Sequence, residues 1–152
     1  MTPAPELLPE VKDLIDADLR TRLIEEVRAE WPGLGEDLGE RGIGQMVAFL
    51  ATSARTAEPL TPSLRVDAFW HRFLLHTVPY VRFCAALGVK FIHHVPEPAA
   101  KAGPAAGRAA MERTKAAIRA AGYAVDPEFW PGEGVADCTQ CHAGCTDSPV
   151  NT

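Results

Sequence analysis

Three of the four cysteines and one of the five histidines lie within eight consecutive positions near the end of the chain. Cys138 and Cys141 form a C-x2-C pair, His142 follows directly, and Cys145 comes four residues after Cys141. Thiolate and imidazole bind borderline and soft metals tightly, and a C-x2-C pair can place two thiolates on one ion. The segment therefore predicts a metal site, with zinc as the first candidate and iron or copper as alternatives.

Two other cofactors fit the same residues less well. Cys138, Cys141 and His142 match the C-x-x-C-H motif of c-type haem attachment, but such haem belongs to exported proteins, and Cys145 would have no role. An iron–sulfur cluster would need Cys84 as a fourth thiolate, and the spacing differs from the common ferredoxin run. A disulfide would require an oxidising compartment. Three cysteines in eight positions also argue against an incidental, disordered tail.

The other four histidines form a second cluster that spans 24 positions. Asp67 and His71 are four residues apart and share a helix face, so the carboxylate could orient a metal-bound imidazole, bind the ion itself or merely cap the helix. His76 comes five residues after His71, which prevents the two from sharing an ion unless the helix ends between them. His93 and His94 are adjacent and face opposite ways in an extended chain. We expect His71 and one of this pair to point inward.

A structural interpretation of these residues stands beside the chemical one. A histidine among aromatic and leucine side chains is often a core residue that is hydrogen-bonded to the backbone. Tyr80 could supply a phenol, but its spacing from Phe83 and Cys84 is also that of a core stripe, which we favour. Cys84 is most simply a small buried hydrophobe. The catalytic residue is unknown, and the candidates are Asp67, His71, His76 and Tyr80; the predicted metal ligands are Cys138, Cys141, Cys145, His142, His71, His93 and His94.

Length and charge narrow the class of protein. The chain has 152 residues, enough for one domain with a proper core. A formal charge of −5 argues against nonspecific binding to nucleic acid or to an anionic membrane. No apolar run is long enough to span a bilayer, and the amino terminus lacks the basic start and apolar stretch of a signal peptide. We expect a cytoplasmic protein whose partners are a metal ion and a candidate protein partner.

Hydrophobic periodicity predicts helices along the first half of the chain. Apolar residues between Pro9 and Val27 predict an amphipathic helix that ends near residues 31–33. A glycine-broken stretch, residues 33–44, leads into a second helix that contains Met46.

The second half follows the same pattern. Residues 65–76 are typical of a buried helix, and Thr77 is a plausible N-cap for the next one, which Gly88 would end. Residues 96–107 form a connector rich in proline, alanine and glycine before an alanine-rich helix that runs to about Gly122.

The predicted fold class is mostly α, a single compact helical domain over residues 1–122 with a Cys-rich, metal-ordered tail, residues 123–152, packed on it. The first functional hypothesis is a small metal-binding protein in which the tail thiolates and at least one histidine of the middle segment hold zinc, iron or copper. In its most specific form the tail folds back so that Cys138, Cys141 and Cys145 meet an upstream imidazole in a closed, structural zinc site. The second is an iron or copper metalloenzyme with an open His/Asp site within residues 67–94. The third is a protein-interaction module whose tail is ordered by zinc.

One segment resembles a known family. Val66-Asp67-Ala68-Phe69-Trp70-His71, followed by Tyr80 and the His93-His94 pair, is similar to the glycine-rich domain-containing protein-like family over about residues 65–96. The chain departs from the plant pattern because Phe73 stands where a second histidine is expected, and it has no glycine-rich region. The resemblance implies no defined activity; it implies a helical domain with signature positions at Asp67, Trp70, His71, Tyr80 and His94.

Overall fold

A computed structural model describes residues 13, 15–95 and 99–131, with side chains from residue 105 onward in the last range. These residues form five helices and contain no strand, which confirms the mostly helical prediction. The Cys-rich segment lies outside the described residues, so the division into a domain and a tail stays a prediction. The helices are α1 (Ala17–Arg28), α2 (Glu36–Ser53), α3 (Leu64–Leu75), α4 (Thr77–Ala86) and α5 (Ala99–Ala120).

Helix α1 begins later than the sequence pattern suggests. Asp16 has an extended backbone and its carboxylate accepts a hydrogen bond from the Leu19 backbone N–H at 2.8 Å, which is the geometry of an N-cap. The helix therefore starts at Ala17. Its buried face carries Leu23, Ile24 and Val27, spaced by one and three residues as the helical period requires.

Helix α2 runs straight through most of the stretch that the sequence pattern interprets as broken by glycines. Gly39 and Gly42 are both buried inside this helix. A Cβ on Gly39 would lie 2.6 Å from Cγ2 of Ile24, and a Cβ on Gly42 would overlap the ring of Phe69. The prediction of a break was wrong because these glycines allow α1 and α3 to approach the axis of α2 closely, and that packing outweighs the low helix propensity of glycine.

Substituting Gly42 by alanine is expected to destabilise the protein by about 1–3 kcal/mol, because the added methyl group would overpack the contact with Phe69. Gly44 lies in the same helix and a Cβ there would meet nothing within 4 Å. The control Gly44→Ala should therefore be neutral or stabilising by up to about 1 kcal/mol. Urea unfolding of both variants measures the difference, and equal effects would contradict the packing role of Gly42.

The corner between α3 and α4 is built from one residue. His76 is both the C-cap of α3 and the N-cap of α4, with ψ of 76°. Thr77 is therefore the first residue of α4, and the prediction that it caps this helix was wrong. Gly88 ends α4 as expected, since it adopts a φ of 87° that L side chains rarely take. The next residues, up to position 95, have no regular secondary structure.

Helix α5 starts inside the predicted connector, so that connector is shorter than the sequence composition indicates. Ile118 lies in the core, and the hydroxyl of Thr114 accepts a hydrogen bond from the backbone N–H of Thr61 at 2.8 Å. In the part of the chain that the structure describes, no helix is both long and apolar enough to cross a membrane.

Residues 121–131 belong to the core although they have little hydrophobic periodicity. Tyr123, Phe129 and Trp130 are buried. The side chain of Gln45 on α2 holds this segment, because its Oε1 accepts hydrogen bonds from the Asp126 backbone N–H at 3.2 Å and from Nε1 of Trp130 at 2.8 Å. The path of the chain is thus fixed up to the residue before Pro131.

An ion pair between Arg41 and Asp126 also holds residues 121–131, and it predicts that the stability of the protein depends on pH. Arg41 donates from Nε and Nη2 to the two carboxylate oxygens of Asp126 at 2.9 and 3.0 Å, and this pair holds the pKa of Asp126 below its ordinary value. When folding lowers the pKa of a carboxyl group, that group stabilises the folded protein at pH values above its ordinary pKa. This stabilisation is lost as the pH falls through the lowered pKa. Arg41→Gln is therefore expected to unfold at a higher pH during acid titration followed by circular dichroism. The exposed Arg22, changed to Gln, is the charge-matched control.

Candidate metal centre

The candidate site begins on helix α3, which presents Asp67 and His71 one turn apart. Ser63 starts this helix, since its hydroxyl accepts a hydrogen bond from the Val66 backbone N–H at 3.0 Å. The apolar face of α3 is buried against α1 and α2, and Asp67 is buried beside it with only 4% of its side chain exposed. His71 is half-buried. The shared helix face predicted from the spacing is present in the structure.

His94 comes to this face from the irregular segment that follows α4. Its Nε2 lies 2.7 Å from Oδ1 of Asp67, and 13% of its side chain is exposed. The centre of its ring is 4.7 Å from that of His71 and 4.5 Å from that of Trp70. One ligand atom from each of Asp67, His71 and His94 lies within 4.8 Å of the others. This is the one such metal-ligand group of His, Cys, Asp and Glu within the described residues.

Tyr80 fixes the segment that carries His94. Its hydroxyl donates to the backbone carbonyl of Ile92 at 2.5 Å and accepts from Nε1 of Trp70 at 3.0 Å. Burial raises the pKa of Tyr80 well above its ordinary value, so the phenol keeps its proton. Tyr80 thus ties α3, α4 and the segment of residues 87–95 together two residues before His94. It lies in the core, as the spacing with Phe83 predicts.

A hydrogen bond joins Asp67 and His94, the two most buried members of the group. The hydrogen bond to Asp67 raises the pKa of His94, and burial of the imidazole opposes this effect. An ion bound to both Nε2 of His94 and Oδ1 of Asp67 would have to replace this hydrogen bond. Metal binding through these two atoms would therefore release a proton, as is general for imidazole ligands.

The other candidates among the histidines lie apart from this group. Nε2 of His76 is 3.1 Å from Oε1 of Glu26 on α1, so this side chain joins α1 to the α3–α4 corner. His93 is exposed, and its ring lies 4.8 Å from that of Phe91. Cys84 is a fully buried thiol on α4. The remaining predicted ligands, Cys138, Cys141, His142 and Cys145, lie outside the described residues, so the tail site stays a prediction.

Trp70 is a part of the site that the sequence analysis treated only as a signature position. Its indole packs against His94 on one side and against Phe49 of α2, at 5.4 Å between ring centres, on the other. Its Nε1 also donates to Tyr80. An aromatic residue directly before His71 on a buried helix is the sequence signal that could have identified this role. The indole therefore forms one wall of the site beside the imidazole of His94.

The chemistry of the group follows from its atoms. Two imidazoles and one carboxylate form the donor set found in catalytic zinc sites and in non-haem iron(II) sites. Three protein donors leave at least one coordination position for water or another ligand. Because His71 is half-buried rather than enclosed, such a ligand could approach from its side of the group.

The helical architecture of the described residues and this group define a mostly α-helical protein with a candidate metal centre. The family model described as UCP032817-like matches residues 12–120, more than half of the chain, so the protein belongs to the UCP032817-like family. The resemblance to the glycine-rich domain-containing protein-like family was wrong, because it rested on one short segment and the family match covers α1 to α5. The family description names no activity. No curated protein and no solved structure matches the chain.

Proposed function

We propose that the protein binds a divalent transition-metal ion through Asp67, His71 and His94. The observation that carries this proposal is the convergence of three ligand atoms within 4.8 Å. Asp67 and His71 follow from one helix, but His94 is 27 positions after Asp67 and reaches it only through the turn at Gly88. Burying a carboxylate and an imidazole together is costly unless they are paired, and here they are placed with a third donor beside them.

Zinc is the first candidate ion. It accepts two imidazoles and one carboxylate in tetrahedral sites whose fourth position holds water or a substrate. The same donor set supports the second hypothesis, an iron or copper enzyme, since two histidines and one carboxylate bind non-haem iron(II) with open positions. A zinc-loaded protein is colourless, whereas copper(II) gives visible absorption. Elemental analysis with a visible spectrum of the purified protein distinguishes the ions.

The test measures zinc binding by isothermal titration calorimetry in a background that carries Cys138→Ser, Cys141→Ser and Cys145→Ser, so that tail thiolates do not contribute. In that background one zinc ion per chain should bind, and His71→Ala should weaken binding at least about 100-fold, because changes outside the ligand shell alone cost about 10–100-fold. His93→Ala removes an exposed neighbouring imidazole and should bind zinc normally. Normal binding by the His71→Ala protein would refute the site.

A further inference from the structure

We infer that the open position of the proposed metal centre takes the carboxylate of an anionic amphiphile, whose apolar body packs against exposed side chains of residues 75–95. This inference rests on the proposed function and names the ligand class of that site. The charge of the metal-loaded centre and the composition of the surface beside it both support such a ligand.

The metal-loaded centre favours an anionic ligand. A divalent ion bound by two neutral imidazoles and one carboxylate carries about one net positive charge, because an imidazole must be deprotonated to bind. Three protein donors leave a position open for another ligand. A carboxylate at that position would neutralise the centre, and carboxylate oxygen is a donor that zinc accepts.

Apolar side chains are exposed beside the same centre. Within the described part of the chain, the exposed large hydrophobic side chains all lie between positions 75 and 95, and they are Leu75, Val78, Val81, Phe91 and Val95. Leu75 follows His71 by one helical turn on α3, and Val95 directly follows His94. Clusters of exposed apolar side chains mark sites that bind a ligand or a partner.

Phe91 connects this apolar surface to the wall of the centre. Its ring lies 5.1 Å from that of Tyr80, whose hydroxyl accepts a hydrogen bond from Nε1 of Trp70 at 3.0 Å. The ring of Trp70 in turn lies 4.5 Å from that of His94. Aromatic side chains thus link the exposed ring of Phe91 to a candidate metal ligand.

The charged residues of this surface have one sign. Residues 68–95 contain Arg72, Arg82 and Lys90 but no aspartate or glutamate, although the whole chain has a formal charge of −5. Arg72 donates to Glu30 at 2.6 Å, whereas Arg82 and Lys90 are exposed. A ligand that approaches the centre therefore meets cationic and apolar groups, which together complement an anionic amphiphile.

A free carboxylate fits this surface better than an anionic membrane does. Membrane-binding basic clusters usually contain about four to eight lysines or arginines, and here Arg82 and Lys90 belong to a chain of negative net charge. A small ligand responds mainly to charges within about 8–10 Å, whereas a membrane meets a whole face of the protein. A second copy of the chain would place these cations against their counterparts, which is unfavourable.

The experiment measures octanoate binding by isothermal titration calorimetry, with and without zinc, to the full-length chain that carries Cys138→Ser, Cys141→Ser and Cys145→Ser. Octanoate should bind the zinc-loaded protein at least about tenfold more tightly than acetate does, because burial of about two methylene groups suffices for that factor. Without zinc, octanoate should bind at least about tenfold more weakly, because its carboxylate has lost the largest local positive charge. Octanol has the same chain without the anionic group, and it should bind more weakly than octanoate.

Two substitutions test the apolar surface. Leu75→Ser and Val95→Ser should each weaken octanoate binding about three- to tenfold, because each removes part of the apolar contact with the ligand chain. Both should leave acetate and zinc binding unchanged, since these exposed side chains contribute no donor atom. Ala109→Ser adds a hydroxyl at an exposed position of α5 and should leave octanoate binding unchanged.

Four other results would overturn this inference. Equal affinities for octanoate and acetate would show that the apolar surface does not contribute. Equal octanoate affinities with and without zinc would show that the ion does not hold the carboxylate. Binding of the zinc-loaded protein to phosphatidylglycerol vesicles, without binding of octanoate, would assign the surface to a membrane. In these three cases the proposed function survives, whereas a protein that binds no zinc would refute both proposals.

Discussion

Replacing His94 by alanine is expected to destabilise the metal-free protein by about 3–5 kcal/mol. The imidazole pairs with Asp67 at 2.7 Å, and the two side chains are only 13% and 4% exposed. Removing one partner leaves a buried carboxylate without its hydrogen bond, which costs more than the lost contact itself. Urea unfolding in the presence of a chelator measures this effect separately from any stabilisation by a bound ion.

A second substitution shows whether the buried charge causes that loss. Asp67→Asn has nearly the same shape but carries no charge, so adding it to His94→Ala should recover part of the lost stability. The combined effect would then be smaller than the sum of the two single effects, as expected for residues in direct contact. His93→Ala, at an exposed neighbouring position, should stay within about 0.5 kcal/mol of the parent protein. Strictly additive effects would contradict a coupled pair.

Part of this site could be predicted from the sequence. The spacing of Asp67 and His71 places them on one helix face whatever the surrounding fold, because four residues make about one turn. The choice between His93 and His94 could not be predicted. It depends on the direction in which residues 89–95 leave the Gly88 turn, and the hydrogen bond from Tyr80 to Ile92 sets that direction. That contact joins residues 12 positions apart and leaves no periodic trace in the sequence.

In the rest of the fold too, local sequence patterns predicted some elements, whereas contacts between distant residues determined others. Apolar periodicity predicted α1, α3 and α4, because each buries one stripe of side chains. It failed at Gly39 and Gly42, where glycine is needed for close helix packing rather than for a turn. It also gave no indication that residues 121–131 complete the core, because hydrogen bonds to Gln45, rather than a repeating apolar pattern, hold this segment.

The last prediction concerns Trp130, which holds residues 121–131 in the core. Trp130→Ala is expected to destabilise the protein by about 3–5 kcal/mol, since it removes a large side chain that is 1% exposed and contacts Phe49. Oε1 of Gln45 would also lose the hydrogen bond that it accepts from the indole N–H. Thermal and urea unfolding measure the loss.

The variant Trp130→Phe separates the contribution of the buried ring from that of the hydrogen bond to Gln45. The smaller ring keeps much of the buried apolar area but cannot donate to Gln45, so its cost should be clearly smaller than that of alanine. A loss as large as that of the alanine variant would contradict a contribution from the buried ring.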